Sequence, residues 1–420
     1  MAEGVLGSTD ASEAWARSGM MFLTGRSGGP ALGGPAALVE RGRDIAADIA
    51  LRTARLGRPV LVDPLALMAE RAAFGGLRRG GQVSCGGSSR LMRSADGWIA
   101  ATMARPTDWD LVPALVGLPT AVGPGEWDAL RTGVASIEGR ELTARAGLLG
   151  LPLSVLAERH PPPGGAGVAP GAGSGIEPKR IRSASPVPSM TGLVVADLSA
   201  LWAGPLAGRL LALAGARVIK IESASRPDGT RRGHPGFHAA MNAGKESVAI
   251  ELGRTTGREM LARILARVDV VITASRPRAL DQLGLDPEDL VRRHRPRAWL
   301  MISGYGTAGG SSNRVAFGDD AAVAGGLVAW DGATPCFCGD AVADPLTGLA
   351  GTAAVLSALE SDGAWMIEAS MADVAAGATG PALPVDGLEP SPPRSGPVPP
   401  EPGPDFGADT DRVLMELGIG

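Results

Sequence analysis

Residues 193–222, LVVADLSALWAGPLAGRLLALAGARVIKIE, constrain the fold more than any other stretch of the chain. The apolar run 193–196 has strand length and breaks at Asp197-Leu198-Ser199, and the chain then turns through Ala203-Gly204-Pro205 into a helix of small residues over 206–214. Gly215 stops that helix, and a second apolar run follows at 216–222. Strand, helix and strand in immediate succession imply a right-handed crossover between parallel neighbours. Ligands of such sheets lie outside the carboxyl ends of the strands, here near residues 199–205 and just after Glu222.

The alternation continues with apolar runs at 247–252, 268–273 and 298–303, separated by helical patterns at 257–266 and 287–294. Such alternation predicts an α/β fold with a doubly wound parallel sheet. Beyond a loop at 304–320 come a small-residue helix at 321–328, a helix at 346–359, a strand at 365–369 and a helix at 370–376. The remainder, 378–407, is Pro-rich and reads as mobile, before a last helix near 409–417.

Ahead of this domain, residues 42–56 read as a helix, 59–63 as a short strand and 64–73 as a second helix. A polar loop, GGQVSCGGSS at 80–89, leads to a hairpin at 91–101 with Asp96-Gly97 at its turn. Helices follow around 109–115, 127–137 and 139–147. Residues 160–188, rich in Pro, Gly and Ser, read as a linker. The organisation read from these patterns is 1–79, 80–159, linker 160–188, large domain 189–380 and tail 381–420. The order of elements in 42–73 repeats in 346–376, which sets Glu40 opposite Asp344 and Asp63 opposite Glu368, as in a trimmed duplicate.

Composition narrows the function classes. A net charge of −4 gives no electrostatic case for nucleic acid. Cys85, Cys336 and Cys338 are too few for a disulfide framework, and no apolar run is long enough to span a bilayer, so the expectation is a cytoplasmic protein without membrane contact. The spacing Cys336-Phe337-Cys338 is not a zinc half-site, so buried thiols are expected and no metal. GxGxxG is absent after the first strand, as is GxSxG, which argues against NAD and against a serine hydrolase. His234 and His238 sit in a Gly/Pro loop from which they could touch ligand, and are read as facing solvent. Asp344, in AVADPLTGL ahead of a small-residue helix, fits a carboxylate held by helix-start amides; that describes both an ordinary cap and a nucleophile.

Taken together, DLSALWAGPLAGRLLALAGARVIKIE, DGTRRG (228–233), NAGKESVAIEL (242–252), RVDVVITASRPRALDQLGL (267–285), ISGYGTAG (302–309), ADPLTGLAGTAAVLSALE and DFGADTDRVLMELG resemble the family III CoA-transferases. That group includes formyl-CoA transferase, carnitine CoA-transferase and the 2-methylacyl-CoA racemases. SRLMRSADGWIAATMARPTDW and ELTARAGLLGLPLSVLAE resemble the family's smaller α+β domain, which here precedes the large domain instead of following it.

The resemblance implies a definite chemistry. An aspartate at the position of Asp344 attacks an acyl-CoA thioester, and CoA passes through an aspartyl intermediate to a carboxylic acid, with helix-start amides and Gly86 and Gly87 as oxyanion donors. No cofactor is bound permanently; the coenzyme A thioester is a substrate. The positions that hold CoA in the family fall on Ser199, Ala200, Trp202, Ala203, Gly204, Pro205, Ser223, Arg231, Lys245, Arg276 and Gln282. Several depart from the family pattern: Ala200 stands where His or Arg is common, Ser223 where Arg follows KIE, Thr273-Ala274-Ser275-Arg276-Pro277 for ENFRP, and Gln282 for Arg. Lys245, Arg231 and Arg276 are the compensating cations. The resemblance further implies an interlocked homodimer, for which the reordered domains offer a substitute within one chain. The alternative function is a non-catalytic acyl-CoA-binding paralogue or partner subunit of an active homologue. Racemisation needs a histidine in the 304–320 loop, where this chain has Phe317, Gly318 and Asp319.

Overall fold

The structure, a computed structural model, describes residues 11–159, 175–399 and 401–419. In chain order, β1 (Ser89–Arg93), β2 (Trp98–Thr102) and β3 (Leu153–Val155) form a small antiparallel sheet. The strands β4 (Ile176–Ser183), β5 (Val194–Asp197), β6 (Arg217–Ser223), β7 (Lys245–Ile250), β8 (Val270–Thr273) and β9 (Ala298–Ser303) belong to the large sheet. A hairpin of β10 (Val328–Asp331) and β11 (Thr334–Phe337) precedes β12 (Gly363–Ser370), the large sheet's remaining strand among the described residues.

The order of the large sheet is β4-β12-β9-β8-β5-β6-β7, with every pair parallel except β4 against β12. The chain winds outward from β5 through β6 to β7, then returns to β8 and winds the other way. The switch point between β5 and β8 therefore opens a crevice at their carboxyl ends, where ligands of doubly wound sheets bind. Helices cover both faces, so adjacent strand residues serve opposite cores: Val195 and Val270 pack with Leu206, Leu210, Leu346 and Leu349, while Ala196 and Val271 pack with Leu261, Ile264 and Val291. The smaller domain has its own core, centred on Ile99, Trp109, Leu115, Leu130 and Leu142.

Several expectations need correction. Residues 59–63 form no strand: the Val60 amide donates to Thr53 Oγ1 at 2.9 Å, and Asp63 caps the Pro64–Gly75 helix by accepting from the amides of Leu65 and Ala66. The flanking helices, Ala36–Arg55 and Pro64–Gly75, instead pack on the Ala343–Glu360 helix and enter the same core through Ile49, Leu67 and Met68. The positions paired by the supposed duplication are therefore unlike: Glu40 is exposed on a helix whereas Asp344 is partly buried in the first turn of another, and Asp63 caps a helix whereas Glu368 lies within β12 and accepts from Thr307.

The supposed linker contains β4, a polar edge strand whose side chains lie mostly outward, which is why its sequence lacks an apolar signal; residues 160–174, with His160, lie outside the described residues. The tail is fixed at several points. The Gly396 amide donates to Glu70 Oε1 at 2.7 Å, Pro397 O accepts from Arg209 Nε at 2.9 Å, and the Ser247 amide donates to Asp409 Oδ2 at 2.8 Å. The β10–β11 hairpin follows the Gly318–Ala324 helix, which ends earlier than the 321–328 pattern implied. Among the described residues no helix is long and apolar enough to cross a membrane.

Candidate active site

The helix carrying Asp344 runs over Ala343–Glu360 and is buried almost throughout. Its close approach to the Ala203–Leu213 helix depends on Gly348, where a Cβ would come within 2.5 Å of the Ala203 carbonyl oxygen. This contact sets the start of one helix beside the start of the other, at the mouth of the β5–β8 crevice. Asp344 lies in the first turn, two residues further into the helix than the cap, Val342. There the helix dipole favours negative charge.

A cavity of about 390 Å³ opens above Asp344. One wall is Leu201, Trp202, Gly229, Thr230, His234 and Phe237, from loops following the large-sheet strands. The facing wall is Gly86, Ser88, Thr102 and Ala104, from the smaller domain. Asp319 and Asp344 form part of the floor, and Arg71 enters from the Pro64–Gly75 helix. Two non-glycine residues in the left-handed region, Leu201 at φ 70° and Ala341 at φ 46°, border this space, a form of backbone strain that clusters at functional sites.

Buried hydroxyl-to-carboxylate bonds hold the smaller domain over the floor. Ser89 Oγ donates to Asp319 Oδ2 at 2.9 Å, and Thr102 Oγ1 donates to Asp320 Oδ1 at 3.1 Å. Ser154 Oγ reaches the Asp320 carbonyl at 2.8 Å, and the Ala341 amide donates to Asp319 Oδ1 at 3.0 Å. Neither Asp319 nor Asp320 was singled out from the sequence as a site residue. The available signal was a pair of adjacent acids opening a helix of alanine and valine, an expensive arrangement unless both carboxylates have partners.

The floor is crowded with acid. Burial pushes the Asp344 carboxyl up to about 7; Arg71 partly counters this, and Asp319 and Asp340 add to the rise. Burial also raises Asp319, reinforced by Asp340, and takes Asp320 to about 7. Gly318 closes directly over the nucleophile candidate: a Cβ there would stand 2.5 Å from Asp344 Oδ2.

Of the residues expected to hold CoA, Trp202 lines the cavity, packing edge-on against Phe237 with ring centroids 5.4 Å apart. The others lie elsewhere. Ser199 turns inward onto Asp197, and Ala203, Gly204 and Pro205 are buried in the first turn of their helix. Lys245 is buried too, with Nζ 2.8 Å from Asp197 Oδ2 and 2.9 Å from the Pro205 carbonyl. Arg231 forms a two-point pair with Glu222, at 3.0 and 2.6 Å. Ser223 Oγ meets Ser225 Oγ at 3.1 Å, while Ala200 and Gln282 are exposed. Arg276 is exposed and belongs to a group of four guanidinium ions: burial first, then Arg105, Arg226 and Arg278, lowers its pKa. Arg105 follows Ala104 of the cavity wall, so this basic group lies by the mouth. Of the two glycines expected as oxyanion donors, Gly86 lines the cavity, whereas the Gly87 amide is bound to the Ser84 carbonyl at 2.9 Å. His234 is exposed, as expected, and also borders the cavity. Cys336 and Cys338 are buried thiols, as expected.

The sequence profile of CoA-transferase family III matches residues 190–400, half of the chain and the part that carries Asp344 and the large sheet apart from β4. The chain belongs to this family. It is 30% identical over 190 residues to an Acyl-CoA transferase of Fusarium pseudograminearum, covering 41% of each chain. It is 31% identical over 175 residues to a Succinyl-CoA--D-citramalate CoA-transferase of Chloroflexus aurantiacus, covering 39% of this chain and 43% of that one. The match thus spans less than half the length of these relatives. Among solved structures, a CAIB/BAIF family protein from Brucella suis is 30% identical with a TM-score of 0.41, covering 46% of this chain and 55% of that one.

Proposed function

We propose that the protein transfers CoA between an acyl-CoA thioester and a carboxylic acid, with Asp344 as the nucleophile. The observation that carries this reading is the placement of Asp344: at a helix start, on the floor of a cavity at the sheet's switch point, under a loop of the smaller domain. Relatives named for CoA transfer support it. An Asp344 carboxylate oxygen attacks the thioester carbonyl; the C–S bond breaks, leaving an acyl-aspartyl anhydride and CoA thiolate. The thiolate then attacks the aspartyl carbonyl, the donor acid leaves as its carboxylate, and an aspartyl-CoA thioester remains. Reversal with a different acid completes the exchange, with no net proton or electron consumed.

The cavity has the size of a small-molecule site, enough for the acyl group and the thiol end of CoA. The nucleotide end then lies outside it, where Arg226, Arg276 and Arg278 offer forked donors to its phosphates, Arg105 of the same group being paired with Asp108. Lys245 and Arg231, being committed to internal acids, leave that task to the arginine group. Both walls over Asp344 come from one chain, so a homodimer, if formed, is not required to enclose this cavity.

Incubation with a panel of acyl-CoA esters followed by hydroxylamine tests the reading. The expected result is an Asp344 hydroxamate detected by mass spectrometry. CoA binding without any adduct would leave the non-catalytic alternative, and neither binding nor adduct would dismiss both. Because the ionised form attacks, the single-turnover rate of adduct formation should climb with pH and level off above about 7. A profile flat through that range is the contrary result.

A further inference from the structure

We propose that Arg71 binds the carboxylate of the acid substrate, which would make the N-terminal helical segment, outside the matched family region, a determinant of acceptor choice. The proposal rests on the CoA-transfer reading. Arg71 projects from the Pro64–Gly75 helix, whose neighbouring residues Leu67, Met68 and Ala72 are fully or almost fully buried. Its guanidinium binds Asp340 side-on: Nε donates to Oδ2 at 2.8 Å and Nη2 donates to Oδ1. This uses one edge of the fork and leaves Nη1 outside the ion pair.

The remaining end of Arg71 faces the cavity. Its side chain is one-third exposed while Asp340 is fully buried, and Arg71 lines the same space as Asp344. The guanidinium carbon stands 5.8 Å from the centroid of the Trp202 ring. On its other side lies Gly86, where a Cβ would come within 3.0 Å of Nη2 and 3.4 Å of Nη1. A planar cation is thus held between an indole and a glycine loop, beside the reacting carboxylate.

The charge balance of the cavity calls for such a group. Its wall contains two acids, Asp319 and Asp344, with Asp340 just behind, and Arg71 is its one permanent cation among the described residues. An ionised acid entering a low-dielectric pocket of this kind is repelled unless a cation receives it. Acylation of Asp344 removes one negative charge at the stage when the acid must enter. Burial raises Asp319 as well, with Asp340 reinforcing the rise. Other nearby cations are engaged away from the cavity: Lys220 with Asp228 at 3.0 Å, Lys245 with Asp197 and Arg231 with Glu222. The acid docked on Arg71 then attacks the aspartyl-CoA carbonyl through one oxygen; the C–S bond breaks and thiolate departs. The thiolate next attacks the carbonyl derived from the acid, and Asp344 leaves as its carboxylate.

Arg71→Gln alone leaves Asp340 buried without a counter-ion, so the informative protein is Arg71→Gln combined with Asp340→Asn, which keeps a neutral polar pair. Arg71→Lys keeps the charge and removes the fork. Calorimetric titration of the full chain with acetate, succinate, glutarate and benzoate should show at least one acid binding to wild type. Affinity should fall roughly tenfold or more in the double variant and by less in Arg71→Lys. Steady-state kinetics should show KM for the acid rising in parallel, by a clearly larger factor than KM for acyl-CoA. Binding of no acid by wild type, or equal binding by a double variant with unchanged circular dichroism, overturns the assignment. Failure of wild type to form the hydroxamate defeats the CoA-transfer reading instead, so the two failures are distinguishable.

Discussion

Asp344→Asn is expected to abolish CoA transfer, lowering kcat by roughly four orders of magnitude or more, the scale on which removal of a covalent nucleophile acts. The amide fits the same space under Gly318 but lacks the anionic oxygen that opens the thioester. Stability separates this from structural damage. The Asp344 pKa stands at about 7 in the folded chain against an ordinary 3.8. The folded state therefore holds a proton that the unfolded chain has released. Stability associated with this group is complete below about 4 and is lost as pH rises through about 7. Asparagine does not titrate, so the Tm of Asp344→Asn should gain on wild type across that range and match or exceed it at pH 8. Loss of transfer accompanied by a large fall in Tm at pH 8 would mean that the side chain serves folding instead.

Glu70→Ala is expected to cost about 3–5 kcal/mol, the range for breaking a buried ion pair from one side. Glu70 and Arg209 are both fully buried; Arg209 Nη1 donates to Oε2 at 2.8 Å and Nη2 donates to Oε1 at 3.1 Å. The pair joins the Pro64–Gly75 helix to the Ala203–Leu213 helix, and its remaining bonding capacity fixes the tail at Gly396 and Pro397. Alanine strands a guanidinium in the core together with the Gly396 amide. Replacing both partners, Glu70→Leu with Arg209→Met, removes the stranded charge and should recover most of the loss. Guanidinium chloride unfolding of the three proteins is the measurement. A loss below about 1 kcal/mol for Glu70→Ala would show the pair to be solvated and the tail loose.

Parts of this molecule were legible because their signals are local. Residues 193–222 place β5, the Ala203–Leu213 helix and β6 to within a few positions, since an apolar run, a Gly-Pro turn and a stopping glycine each act on their neighbours in sequence. The hairpin at Asp96-Gly97 and the helix beginning at Ala343 were legible for the same reason. The element type of residues 59–63 was not. An apolar pentapeptide suits a strand or a coil packed on helices, and the choice depends on whether a sheet edge is free. The edge strand β4 was hidden by its own polarity.

For the site, the sequence alone determined the α/β scaffold, the helix start at Asp344 and, through its motifs, the chemistry expected there. It put CoA-binding expectations on Lys245 and Arg231 because a lone cation in a loop or strand reveals nothing of its partner; folding gave those cations to Asp197 and Glu222. Only the tertiary structure brought Arg71 to Asp340 across 269 positions, and Ser89 to Asp319 across 230. Local sequence specifies elements through interactions within a few residues, whereas the charge, enclosure and donors of the cavity arise where distant segments converge. Each buried ionic or polar group there is tolerable only because a partner from elsewhere in the chain arrives to meet it.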